Sequence, residues 1–277
     1  IQHGKKLLDG DTSAVDALKK DLAELRNRKI HLLKSAGFPE DYLEPVYDCP
    51  DCKDTGYIGN KKCHCFKKAI IGLLYDQSNI KKFPVETDFS NFRLDYYPVS
   101  HYDKKTGRSS RSMMEDTLRI CHHFIDSFGT EFNNLFFYGD VGVGKTFLST
   151  CIAKEIMNRE YSVLYFSAPQ LFNTLAKNAF DKNDIDAHNM CEYIFDCDLL
   201  IIDDLGTEYT NAFIASQFFT CINERLLHRK STIISTNLSL ESLADLYTER
   251  SFSRITSRYS LLKIVGDDIR IKKKLEH

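Results

Sequence analysis

The apolar positions change their period along the chain, and each period predicts a different element. Val15, Leu18, Leu22, Leu25, Ile30 and Leu33 recur at roughly helical spacing, behind a Ser13/Asp16 capping box and ahead of Gly37 and Pro39. That predicts one amphipathic helix over about 14–36. A second helical stretch follows near 66–80, then an aromatic connector, FPVETDFSNFRLDYYP over 83–98, which reads as a linker. Residues 101–112 are polar, with Gly107 and several basic side chains, and predict a mobile loop ahead of a helix near 113–128. From there short apolar runs alternate with helical stretches: LFFY at 135–138, VLYFS at 163–167, LLII at 199–202, TIIS at 232–235 and LLKIV at 261–265. Such runs suit parallel strands buried on both faces, so an α/β fold is expected, with a five-stranded parallel sheet between helices.

Composition narrows the class. With 277 residues, 43% of them hydrophobic and 27% charged, the chain has room for one or two domains and a sizeable core. No apolar run approaches the ~20 residues that span a bilayer, and no signal-peptide pattern opens the chain, so a cytoplasmic protein without membrane contact is expected. Up to Lys82 there are 15 basic and 12 acidic side chains, and beyond it 22 and 27. Neither part is basic enough for net charge to argue for nucleic acid. The chain starts at Ile1, which implies a truncated beginning, and residues 275–277 read as a tag remnant.

The strongest chemical signal follows the first apolar run. Gly139, Asp140, Val141, Gly142, Val143, Gly144, Lys145 and Thr146, with Phe147 behind them, fit G-x-x-x-x-G-K-[ST] between a strand pattern and a helix pattern. Glycines there let backbone N–H groups curl around a phosphate, and the helix behind adds the positive end of its dipole. Lys145 would neutralise the β- and γ-phosphates of ATP, and Thr146 would offer its hydroxyl to Mg²⁺. The LLII run ends in Asp203 and Asp204. Asp203 would bind Mg²⁺ directly or through water, and Asp204 would polarise the attacking water. Asn237 emerges behind TIIS, at the strand end where ligands of such sheets bind, and could orient that water. Arg250, Arg254 and Arg258 stand four residues apart, one face of a helix. Such a stripe can be a solvated face, a contact to phosphate backbones, or a set of residues presented to a neighbouring subunit.

Four cysteines, Cys49, Cys52, Cys63 and Cys65, form C-x₂-C and C-x-C pairs separated by ten residues. Four thiolates on two short turns can close a tetrahedral Zn²⁺ site, with His64 able to replace one of the last two, and free thiols are the competing reading. The other five cysteines sit among apolar neighbours as small core residues do.

Taken together, TDFSNFRLDYY, GDVGVGKT, LLIIDDLGTE, ISTN, and SRITSR followed by IVGDDIR resemble the AAA+ ATPases of the initiator and loader branch. The likeness is closest to the DnaC/DnaI-type replicative helicase loaders and the related IstB-type transposition helpers, and covers about 83–274. The resemblance implies that Asn237 is a first sensor, that Arg258 is an arginine finger with Arg254 beside it, and that Arg270 is a second sensor. It also implies an ATPase that works as an ATP-dependent homo-oligomer on a replicative helicase ring and on single-stranded DNA. The shorter Asp204 in the Asp-Asp pair points to slow or partner-dependent hydrolysis, and Phe172 and Lys177, in the helical stretch after the second strand, are candidate DNA contacts. Two features depart from the broader AAA+ pattern: an Asp-Asp pair in place of Asp-Glu, and no room for a helical lid after Arg270. The expected organisation is a helical and cysteine-rich partner-binding module over 1–82, a linker and loop over 83–112, and an ATPase domain over 113–274. Alternatives are an IstB-type helper and a P-loop small-molecule kinase, the latter opposed by the paired aspartates, Asn237 and the arginine stripe.

Overall fold

A run of 23 residues free of glycine and proline builds the first helix, α1, Ser13–Ser35. It stops at Gly37, whose φ of +79° is the left-handed turn that glycine adopts without cost. There the Phe38 N–H donates to the Leu33 carbonyl at 2.9 Å and the Gly37 N–H to that of Lys34 at 3.1 Å, the two bonds of a Schellman cap. The computed structural model describes residues 13–63, 65–66, 69, 84, 87–181 and 183–276. The second helical stretch expected near 66–80 lies almost wholly outside them, as do His64 and the Ser13 side chain of the expected capping box.

The chain divides into two compact units, 1–61 and 62–277, whereas the sequence suggests a change near residue 82. In the first, α1 leads to a turn in which Phe38 and Tyr42 stack with ring centroids 4.2 Å apart. Strand β1, Tyr57–Ile58, then pairs with β2, Lys61–Lys62.

The larger unit contains α2 (Ser110–Asp126), β3 (Leu135–Tyr138), α3 (Lys145–Asn158), β4 (Val163–Ser167), α4 (Ala168–Phe180) and α5 (Ile185–Asp196). It continues with β5 (Leu199–Leu205), α6 (Ala212–Leu227), β6 (Ser231–Thr236), α7 (Leu240–Tyr247), α8 (Glu249–Arg258), β7 (Ser260–Lys263) and α9 (Ile269–Leu275). The strands form the expected parallel sheet in the order β4-β5-β6-β3-β7. Successive side chains of a strand face opposite sides, and both sides are apolar here. Phe136, Leu200, Ile202 and Ile234 pack against α4 to α8 on one face. Phe137, Ile201 and Ile233 pack against α2 and α3 on the other. Among the described residues no helix is long and apolar enough to cross a membrane.

Two connecting stretches hold more structure than linker and mobile loop imply. Residues 89–91 and 94–96 form short 3₁₀ turns, and Tyr97 is 1% exposed. In the polar stretch Tyr102 bridges Ser109, and α2 begins at Ser110 rather than near 113. The reason is Asp103, 5% exposed, which accepts from the Thr106 N–H at 3.0 Å and its hydroxyl at 2.8 Å and pairs with Lys263. These partners hold its carboxyl below the usual range, the Lys263 hydrogen bond foremost.

Candidate functional site

Between β3 and α3 the chain loops back over the end of the sheet, and two glycines have separate steric duties. A Cβ at Gly139, φ +143°, would lie 2.1 Å from the Ile264 carbonyl oxygen, so only glycine lets the segment after β7 pass. A Cβ at Gly144, φ +105°, would lie 2.6 Å from the Tyr97 hydroxyl, which donates to the Val143 carbonyl at 2.7 Å. The start of α3 opens on a cavity of about 300 Å³. Lys145 is 4% exposed, and its ammonium donates to the carbonyls of Gly139 at 2.7 Å and Asp140 at 2.6 Å. Burial lowers its pKa against the opposing pull of Asp204 and Asp203.

β5 becomes irregular at the two aspartates, just before its end. Ile202 pairs with Ile234 and Leu205 with Thr236, so Asp203 and Asp204 together face the single residue Ser235. This is a bulge, and in it Asp204 takes a left-handed φ of +57°. The Thr146 hydroxyl donates to Asp203 Oδ1 at 3.2 Å. A hydroxyl and a carboxylate side by side are the hard oxygen donors that Mg²⁺ takes, so the residues fit the ion. Asp204 lines the cavity with Lys145, Thr146 and Asn237. Its pKa is raised, chiefly by burial and then by the Asp203 charge, while Lys145 and Arg270 pull it back.

At the other end the cavity is aromatic. Phe92 stacks on Tyr97 at 5.7 Å between centroids and lies 6.1 Å from Phe147. Tyr96, Ile269 and Lys273 complete that end. None of these except Phe147 stands out as a site residue in the sequence. The available signal is the density of aromatics just ahead of a phosphate loop, a pattern that taken locally reads as a linker. Arg270 also lines the cavity, its guanidinium bidentate to Asp268 at 3.1 and 3.0 Å.

Arg254 and Arg258 are exposed on α8 and do not line the cavity. Asn134, 2% exposed, anchors the end of that helix: its amide donates to the Arg258 carbonyl at 3.2 Å and accepts from the Thr232 N–H at 2.8 Å. Lys177 is exposed, but Phe172 is 2% exposed and packs edge-on against Phe218. Phe172 is therefore a core residue and cannot stack on a nucleic-acid base, a correction to its reading as a contact candidate. The helical period sets it on the apolar face of α4.

The thiol sulfurs of Cys49, Cys52, Cys63 and Cys65 all lie within 4.8 Å of one another. A tetrahedral zinc site with Zn–S near 2.3 Å has sulfurs roughly 3.8 Å apart, so the four thiols fit the ion after a small contraction. Asp54 shapes the first knuckle by accepting from the Cys49 N–H at 2.8 Å and the Asp48 N–H at 3.1 Å.

The chain is similar to known proteins. A family model described as IstB-like ATP binding protein matches residues 78–277. The phage-like element PBSX protein XkdC of Bacillus subtilis (strain 168) is 27% identical over 236 residues, covering 80% of this chain and 83% of that protein. The replicative helicase loader DnaI of the same organism is 29% identical over 115 residues, covering 41% of this chain and 36% of the loader. A crystal structure of the DnaC helicase loader is similar at 26% identity with a TM-score of 0.51, covering 63% of this chain and 97% of that one.

Proposed function

The chain belongs to the family of IstB-like ATP-binding proteins, within the AAA+ P-loop ATPases, and on that premise we propose that it is a slow ATPase that loads a replicative helicase onto DNA. The observation that carries this reading is the convergence of Lys145, Thr146, Asp204, Asn237 and Arg270 on one cavity with an aromatic far end. A triphosphate would run along the phosphate loop toward Asp204, and a base would rest among Phe92, Tyr96 and Tyr97. Bound Mg²⁺ would neutralise phosphate charge. Asp203 and Thr146 would hold it, Lys145 would exchange its loop carbonyls for phosphate oxygens, and Asn237 would orient the attacking water. Asp204, its proton affinity raised by burial, is suited to accept a proton from that water. Its side chain is one methylene shorter than the glutamate more common there, which fits slow turnover.

Arg254 and Arg258, away from the chain's own cavity, would act on ATP held by the next subunit of an oligomer. The thiol cluster would hold Zn²⁺, whose binding supplies folding energy to the segment around it. That segment would recognise the helicase. A transposition helper with the same ATPase core is the second reading; the thiol cluster favours the loader, and the match over 80% of the chain to a phage-like element protein allows a loader carried by a mobile element.

The test is ATP turnover by the full-length chain, measured alone and with a replicative helicase ring. Arg258→Ala should bind ATP like the parent yet lose helicase-stimulated phosphate release by roughly 10³-fold. Mixing it with Lys145→Ala should restore part of the activity, because one variant has an intact phosphate loop and the other an intact arginine. A mixture that co-assembles but stays inactive would falsify the trans role. ATP-independent capture of the helicase would argue against the loader.

A further inference from the structure

At the bulge that presents Asp203 and Asp204, two consecutive hydroxyls of β6 hydrogen-bond to the backbone and side chain of β5. Ser235, 0% exposed, stands opposite both aspartates. Its Oγ accepts the Asp204 N–H at 3.0 Å and donates to Asp203 Oδ1. Thr236, also 0% exposed, donates its hydroxyl to the Leu205 carbonyl at 2.6 Å and accepts the Leu238 N–H at 3.0 Å. Side chains thus take part in closing the bulge, and the Ser235 hydroxyl gives the Asp204 N–H a partner while Asp204 holds a φ of +57°.

Ser235 also touches the same oxygen of Asp203 that Thr146 contacts at 3.2 Å. An ordinary alcohol proton directed at one carboxylate oxygen fixes the rotation of the whole group, and outer partners of this kind set how well a carboxylate ligates a metal. Ser235 sits two residues before Asn237 on the same chain segment, so the strand that carries the sensor amide is tied to the carboxylate through one hydroxyl.

We propose that Ser235 is a positioning residue for the divalent cation that would accompany the nucleotide: its hydroxyl, which accepts the Asp204 N–H, would hold the Asp203 carboxylate in place as a ligand for that ion. This assignment deepens the ATPase reading and rests on it. A threonine or serine that merely filled core volume would matter for stability but not for metal affinity.

The experiment is a titration of a non-hydrolysable ATP analogue against the full chain at fixed Mg²⁺ levels and in EDTA. Ser235→Ala should raise the Mg²⁺ needed for half-maximal binding by about tenfold, within the 10- to 100-fold range typical of lost partners to metal ligands, while affinity in EDTA stays within a factor of about two. In an Asp203→Asn background the same change should add less than about twofold, because Ser235 acts through that carboxylate. Unchanged Mg²⁺ dependence in folded Ser235→Ala overturns the assignment, and so does an equal loss with and without Mg²⁺. Should the alanine variant not fold, Ser235→Cys, close in volume and a far weaker hydrogen-bonding group, reads the same quantity. A parent chain that binds the analogue with no Mg²⁺ dependence overturns the ATPase reading, and the Ser235 assignment falls with it.

Discussion

The two units of this chain are built on different physical terms. In the larger one both faces of a parallel sheet are buried, with Phe136, Phe137, Leu200 and Ile201 all at 0% exposure. In the smaller one the described side chains that reach the interior are Leu33, Cys49 and Cys52, while Leu22, Leu25, Leu32 and Leu43 are 55 to 63% exposed. Burial at about 25 cal/mol per Å² can organise the first and not the second. A unit with so little core needs a ligand or a partner to order it, and Cys49 and Cys52, two of the four clustered thiols, supply the means for one.

Metal removal tests that contrast most severely. Structural zinc in small modules is worth about 10–16 kcal/mol, more than such a unit can otherwise muster. Changing Cys49 and Cys52 to serine, or stripping the metal with a chelator, should abolish amide-exchange protection along α1 and the first knuckle. Protection across the sheet strands should stay as it was. Metal-free protein that keeps its protection in 13–61 breaks the comparison. A core deletion in the other unit should do the reverse: Phe136→Ala should cost about 3–5 kcal/mol in denaturant unfolding of the sheet and weaken nucleotide binding, with zinc content unaltered. Loss of zinc on that substitution would mean that the thiol cluster depends on the sheet.

The smallest effect concerns the strained aspartate, and its sign depends on pH. Asp204 has a raised pKa in the fold, so below the ordinary carboxylate range, near 4, it is protonated in both folded and unfolded chain and carries no penalty. As pH rises through and above that range the folded state must hold an ionised carboxylate that burial disfavours, and stability is lost. Asp204→Asn removes the charge and keeps a residue that tolerates a left-handed φ. It should therefore melt a few degrees above the parent near pH 7 and level with it near pH 3, while losing phosphate release. A parent that melts higher than the variant at pH 7 would show that Lys145 and Arg270 outweigh burial at this position.

Much of the larger unit is legible in the amino-acid sequence. Its five strands are runs of Leu, Ile, Val and Phe too uniform to be amphipathic helices, and the phosphate loop needs glycine, lysine and threonine at fixed spacing because backbone N–H groups, an ammonium and a hydroxyl must meet one triphosphate. The connector is not legible in this way. Phe92, Tyr96 and Tyr97 look like linker aromatics until the fold carries them beside Gly144 and Phe147, some fifty residues further along the chain. Phe172 misleads in the opposite direction: an aromatic beside a lysine on one helix looks like a nucleic-acid contact, while the helical period with Leu171 and Leu175 sets it on the buried face.

Local pattern therefore determined which residue types this protein has that are suited to phosphate, a hard cation and a thiol-bound ion, because those chemistries need particular atoms at short spacings along the chain. Only the tertiary structure decided that Ser235 stands opposite two aspartates, that Asp204 takes a positive φ and that Tyr97 holds the phosphate loop. Those features depend on strand register and on contacts between residues 31 to 46 apart in sequence, and register is set by how two apolar faces fill with side chains, a property of the whole sheet and of no single segment.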